Sequence, residues 1–229
     1  MAVSVDTVYQ RVLSILNKEQ RGYITPQEFN LFANQAQASI FEQYFYDINQ
    51  FGRLHGNDTE YSDMLDILNE KIGVFENTDP SLTYNTDHFE LPSDLYRIGT
   101  IIYNGKEAEK VNNNEILYIN LSPLTKPTDT RPIYTYKNNR INVFGASELT
   151  SGISCNYIRK PAAVNWAYQM VFGEALYDST NAVDFELHAS DETTLVLKIL
   201  ELSGLSIMDV NLYQVAAQEE AKEIQQEKS

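Results

Sequence analysis

The chain has 229 residues, 43% of them hydrophobic, and a formal net charge of −15; it is long enough for one or two domains with a sizeable core. The acid excess argues against gripping phosphate backbones, which takes clustered Lys and Arg. No apolar run approaches the ~20 residues of a membrane span, the opening "MAVSVDTVYQ" has neither the basic nor the apolar region of a signal peptide, and a single cysteine, Cys155, excludes an intramolecular disulfide or thiolate zinc and fits assembly in a reducing cytoplasm.

Residues 6–18 are predicted as a helix, with Val8, Val12 and Leu16 on one face. A turn follows, and Thr25-Pro26-Gln27-Glu28 has the residues of a capping box. Thr25 accepts from the N3 amide, Glu28 reaches back to the N-cap amide, and Pro26 at N1 gives up only an orphan donor. Gly22 suits a positive-φ position where the first helix stops. The same stretch imitates a calcium loop running from Asn17 to Glu28, with Gly22 at position 6 and Glu28 at position 12. Arg21 stands where an oxygen ligand is needed, and the capping box accounts for Glu28 without metal, so no metal site is expected.

The second helix is predicted from Pro26 to Phe51, about 39 Å long at 1.5 Å per residue. One stripe is Phe29, Phe32, Ala36, Ile40, Tyr44 and Phe51; a second is Leu31, Ala38, Phe41, Phe45 and Ile48. Two stripes predict burial on more than one side. After "GRLHGND" a third helix is expected over 59–75, with Tyr61, Leu65, Leu68, Ile72 and Phe75 on one face. "ENTDPSLTYNTD" reads as a polar connector.

From His88 the period changes. "HFELP" and "YRIGTIIYNG" read as strands, ending at Asn104-Gly105, a strong turn dipeptide. A short strand over 108–111 would complete that hairpin. "NNNEILYINLSP" predicts a short helix stopped before Pro123, and "PIYTYKNNRINVF" a hairpin turning at Asn138-Asn139. "SCNYIRKP" is expected to be its partner strand, ending at Pro161. The chain then returns to helix, although "NWAYQMVFGEALYDS" is ambiguous and part loop. Ser190 is read as the cap of "DETTLVLKILELSG", with Gly204 at its C′ position. A last helix from Met208 carries Val210, Tyr213, Ala217, Ala221 and Ile224 along one stripe, and its polar tail extends beyond the body. The expectation is an α+β chain: helical over 1–76, a small antiparallel β module over 84–161, and helical again over 162–229.

The sequence holds no recognisable catalytic constellation, and no cofactor is expected. His55, His88 and His188 lie far apart in sequence, and none has a second histidine or a cysteine at ligand spacing. There is no phosphate loop and no Gly-x-Ser-x-Gly elbow. Cys155 sits in an alternating strand context and reads as a small buried hydrophobe. Carboxylate pairs such as Asp63 with Asp66, or Asp191 with Glu192, are abundant enough to arise by chance. Arg131, Lys137, Arg140, Arg159 and Lys160 make the β segment locally positive. Fifteen tyrosines and ten phenylalanines tilt the reading toward protein binding, since tyrosine is enriched at interfaces.

The segment "NKEQRGYITPQEFNLFANQAQASIFEQYF" resembles the N-terminal region of virion proteins of crAss-like and related marine short-tailed phages. The layout resembles the head–tail adaptor family of short-tailed phages: an N-terminal helical part, then "FELPSDLYRIGTIIYNGKEAEKV" opening a β module, then a helical end in "ELHASDETTLVLKILELSGLSIMD". The resemblance implies a non-enzymatic ring protein of the virion, made in the host bacterial cytoplasm and docked below the portal. It implies a homo-oligomer of about twelve copies closed by heterologous contacts, with the portal and other neck and tail proteins as partners. DNA would pass through the lumen without specific binding, and a negative wall suits such a conduit. No membrane partner is expected. The stripe Val210, Tyr213, Ala217, Ala221 and Ile224 is the expected partner-binding surface. Two alternatives stay open: a tail-associated hydrolase of the host envelope, and a calcium-dependent protein-binding module.

Overall fold

The computed structural model describes residues 3–18, 24–51 and 59–207, with Gln218, Ala221 and Lys222. The chain is α+β. In order it runs α1 (Val5–Lys18), α2 (Pro26–Phe51), α3 (Thr59–Gly73), β1 (Glu76–Asp79), β2 (Tyr84–Asn85), β3 (His88–Glu90), β4 (Leu95–Tyr103), β5 (Lys106–Glu107) and β6 (Glu109–Lys110). Then come α4 (Ile116–Leu121), β7 (Ile133–Lys137), β8 (Arg140–Phe144), β9 (Ile153–Arg159), β10 (Tyr168–Val171), β11 (Glu174–Tyr177) and α5 (Glu192–Ile207). Two compact units result: Met1–Val74 with Pro161–Ser229, and Phe75–Lys160.

In the first unit α1 buries Val5, Val8, Val12 and Leu16, the spacing expected of one helical face. Along α2 the buried line is Phe29, Ala33, Ala36, Ile40, Phe41 and Tyr44. The second predicted stripe does not hold along its length: Leu31 and Ala38 are exposed, while Phe45 and Ile48 are half-buried. A different strip of α2 is covered instead, and it is polar: Asn30, Asn34 and Gln37 bond to residues 162–166. Helix α3 buries Leu68 and Ile72, and α5 buries Leu195, Val196, Ile199 and Leu200.

The start and end of α5 differ from the sequence reading. A 3-10 turn, Ala189–Asp191, precedes the helix, and the His188 imidazole caps it by accepting the Ser190 N–H at 3.3 Å. The helix runs through the buried Gly204 to Ile207, because tertiary packing outweighs a local stop signal. Asp191, in the sequence one of a chance pair of acids with Glu192, is buried. It accepts the Tyr44 hydroxyl at 2.6 Å and pairs with Lys71 Nζ at 2.8 Å. The ammonium also lies over the Tyr44 ring, 5.5 Å from its centroid. One carboxylate thus joins α2, α3 and the start of α5.

The region 162–229, expected to be helical, contains the antiparallel hairpin β10–β11, with Tyr168 opposite Tyr177 and Val171 opposite Glu174. Its two-residue turn, Phe172-Gly173, has φ of +53° and +90°. Primed turns of this kind match the twist of the flanking strands.

The second unit is two sheets around one core. One sheet has the order β1-β9-β4-β5, the other β2-β3-β8-β7-β6. Phe89, Ile101, Tyr134, Ile141, Val143, Ile153, Cys155 and Tyr157 cluster between them, as the two inner faces of a packed sheet pair do. Both predicted turns are present: Asn104-Gly105 and Asn138-Asn139 all have positive φ.

Three strand expectations change. The predicted connector 76–87 contains β1 and β2; β1 has no apolar alternation and is held by its pairing with β9, Glu76 opposite Ile158. The strand after Asn104-Gly105 splits at the buried Ala108, with β5 completing the hairpin and β6 crossing to pair parallel with β7. And β9 pairs with β1 and β4 rather than with the β7–β8 hairpin, since the alternation of Ile153, Cys155 and Tyr157 specifies a buried face but not a partner. Gly99 sits where β4 bulges against β9; a Cβ there would meet the Asn156 carbonyl oxygen at 2.8 Å.

Candidate interaction surfaces

An amide ladder fixes the segment that leads into β10. Asn34 donates to the Val164 carbonyl and accepts the Val164 N–H, both at 2.8 Å. Asn30 accepts the Trp166 N–H at 2.8 Å and donates to its carbonyl at 3.3 Å. Gln37 donates to the Ala162 carbonyl at 2.8 Å and accepts the Glu186 N–H at 3.1 Å. The geometry follows from rise. Two strand residues advance about 6.6 Å and one helical turn about 5.4 Å, so amides one turn apart on α2 meet every second residue of an extended chain. Backbone groups that have no sheet partner are thereby satisfied.

Trp166, which ends the ladder, is buried, and its indole N–H donates to Asp6 Oδ1 at 3.0 Å. Its ring lies 4.1 Å from Tyr9 and stacks on Tyr168 and Tyr177 at 5.8 and 5.7 Å between centroids. The base of the hairpin is also closed by Asp178, which accepts from Asn181, Gln169 and the Thr180 N–H. These bonds hold its pKa below the usual carboxylate value. Burial raises the pKa of Tyr177, and Asp184, Asp6 and Asp178 push it further up. A two-stranded hairpin is marginal alone; this one stands on an aromatic, hydrogen-bonded footing.

Its tip is the reverse. Met170, Val171 and Leu176 are exposed, and Phe172 is wholly so, at 104% relative accessibility. Phe172 also has a left-handed backbone, which bulky residues rarely adopt. Neither local conformational preference nor burial within this chain accounts for a phenylalanine there.

A second apolar protrusion lies in the other unit. None of the six residues of α4 is buried. Leu117, Tyr118 and Leu121 are 68–81% exposed, and Leu124 just beyond is 93% exposed. Leu121 lies three residues from Tyr118 and four from Leu117, so the three share a face. Only Ile116 and Ile119 are half-buried, and a helix this short gains little from so small a contact with its own chain. Each protrusion exposes on the order of 500 Å² of apolar side chain, taking ~150–250 Å² per aromatic; patches of ~300–600 Å² are the largest a typical monomer shows and are often functional.

Of the predicted partner-binding stripe, Val210, Tyr213, Ala217 and Ile224 lie outside the described residues, and Ala221 is helical and exposed. Residues 19–23 of the calcium-like loop lie outside them too. Its last residue, Glu28, accepts the Thr25 N–H at 2.9 Å and the Thr25 hydroxyl at 2.7 Å, while its own N–H donates to Thr25 Oγ1 at 3.3 Å. Its carboxylate is thus used as the capping box requires. Among the described residues no group of three or more His, Cys, Asp or Glu could hold a metal. His55 is outside them, His188 caps its turn, and buried His88 pairs through Nδ1 with Asp87 at 2.6 Å. Cys155 is buried, and loss of water pushes its thiol up to about 11. Asp191 and Glu192 each pair with a cation, Lys71 and Arg11. Arg131 pairs with Glu109, and Arg159 lies over the Phe75 ring.

Neither protrusion is evident in the sequence alone. The available signals were a Phe-Gly turn between two aromatic-flanked runs, and "ILYINL", a helical segment without a polar face. No protein family matches the chain, and no curated protein matches it.

Proposed function

We propose that this chain is a non-enzymatic structural protein of a short-tailed bacteriophage virion. It forms a homo-oligomeric ring in the head-to-tail connector below the portal, and its ring surrounds part of the path along which DNA leaves. The observation that carries this reading is the resemblance over residues 17–45. That stretch includes the capping box and the Asn30, Asn34 and Gln37 ladder, so it holds the hairpin-bearing segment in place. The charge of −15 supports a wall past which a polyanion slides without sticking. The two apolar protrusions support a chain whose working state is an assembly, since such surfaces in water are otherwise a cost.

The test is a mass measurement by light scattering on the purified chain, alone and with portal rings, together with a duplex-DNA binding assay at low salt. The reading expects closed multimers, on the portal or free, and negligible DNA binding. A chain that stays at 26.1 kDa under both conditions, or one that binds DNA tightly and releases it in salt, contradicts it.

A further inference from the structure

We infer that the two protrusions are halves of one contact: the β10–β11 tip of one copy docks on the α4 cluster of the next. The inference rests on the ring reading and names its subunit contact. Two observations select a second copy as the occupant, and a third names the leading side chain.

The first is area. The hairpin tip and the α4 cluster together would remove on the order of 1,000 Å² from water, about the threshold for a specific interface. Met170, Phe172 and Leu176 on one side and Tyr118, Leu121 and Leu124 on the other are the large apolar groups that dominate such contacts.

The second is charge. Each copy carries −15, so surfaces with few acids lower the like-charge cost of bringing two copies together. The hairpin 168–177 has one ionisable acid, Glu174, and residues 112–125 have one, Glu115; neither stretch has a Lys or Arg. These two protrusions therefore bring two acidic chains together with little like-charge contact.

The third is Phe172. It combines a left-handed backbone with full exposure, a conformation that costs energy and persists where it serves a site. Its position at the apex of an anchored hairpin makes it the leading side chain of the contact. Because the two surfaces differ, the contact is heterologous, and repetition of a heterologous contact gives rings or filaments rather than closed pairs.

The experiment uses the full chain with Phe172→Asn, Leu121→Asp and an equimolar mixture of the two, each read by light-scattering mass and thermal melting. Asn favours the left-handed turn position, so the melting temperature of Phe172→Asn should be unchanged or raised, separating a lost contact from a lost fold. Each variant alone should be monomeric under conditions where wild type assembles. The mixture should give a 1:1 heterodimer of about twice the 26.1 kDa chain mass, because one intact hairpin meets one intact α4 and the remaining ends are blocked. If both variants assemble as wild type does, the inference is overturned and the ring reading stands. If each is monomeric but the mixture forms no dimer, the pairing of hairpin with α4 is wrong. If wild type assembles neither alone nor on portal rings, the ring reading and the inference fall together.

Discussion

The Glu28 carboxylate accepts the backbone N–H and the hydroxyl of Thr25, and these two bonds hold its pKa below the ordinary value of 4.5. Thr25→Ala should destabilise the chain by about 1 kcal/mol, the usual cost of a lost N-cap. The folded-state pKa of Glu28 is lowered, so its contribution is complete above the ordinary carboxylate range and is lost as pH falls through the folded value. Glu28→Gln should therefore lose less stability on acidification than wild type does, measured by thermal melting at several pH values. A rise in melting temperature on adding calcium, seen in wild type and absent in Glu28→Ala, would contradict the capping role. At Cys155 the sign is reversed. Burial raises the thiol from 9.0 to about 11, so its contribution is complete below about pH 9 and disappears as pH climbs toward 11. Cys155→Ala should have a shallower alkaline loss of stability, and the wild-type thiol should react with alkylating reagents only as fast as the second unit opens. Rapid labelling of folded protein near neutrality would show that the side chain is not where the core places it.

At the scale of elements, the clamp of Tyr44, Lys71 and Asp191 joins pieces distant in sequence. Both members of the ion pair are nearly buried, so removing one leaves the other uncompensated. Asp191→Ala should cost about 3 kcal/mol or more. The double variant Asp191→Ala with Lys71→Met should be less destabilised than the sum of the single variants, read from denaturant midpoints; strict additivity would mean the pair is not coupled. Local chemistry made some elements legible in the sequence. The span of α2 follows from a capping box and an apolar period, and the turns at Asn104-Gly105 and Asn138-Asn139 follow from residues that tolerate positive φ. Other elements depend on partners that no local window contains. The polar β1 exists through its ladder to β9. Asn30, Asn34 and Gln37 take their role only from the extended segment that lies along them. The turn of β10–β11 carries Phe172 where Asn or Asp would have announced it. The short helix α4 was legible, but its lack of any buried residue was not.

Across the whole molecule, the chain leaves its first unit after Val74 and re-enters it at Pro161. The strands that begin and end the inserted unit, β1 and β9, are paired, and the Arg159 N–H donates to the Phe75 carbonyl at 2.9 Å. An insertion whose ends lie side by side disturbs its host little. The described buried side chains of α5 all precede Gly204, so truncation after Ile207 should leave both units folded. The removed segment carries Val210, Tyr213, Ala217, Ala221 and Ile224. As a portal-docking stripe it predicts that the truncated chain no longer co-sediments with portal rings. Equal co-sedimentation of the truncated and full chains would place portal docking elsewhere.

In the proposed function this chain works as a closed ring of identical copies. Light scattering on the wild-type chain, taken across a concentration series with and without portal rings, reads this from the mass. A closed ring gives a discrete species of about twelve times the 26.1 kDa chain mass, whose size stays fixed as concentration rises. A chain that remains monomeric throughout, or whose mass grows without limit as a filament's does, would contradict it.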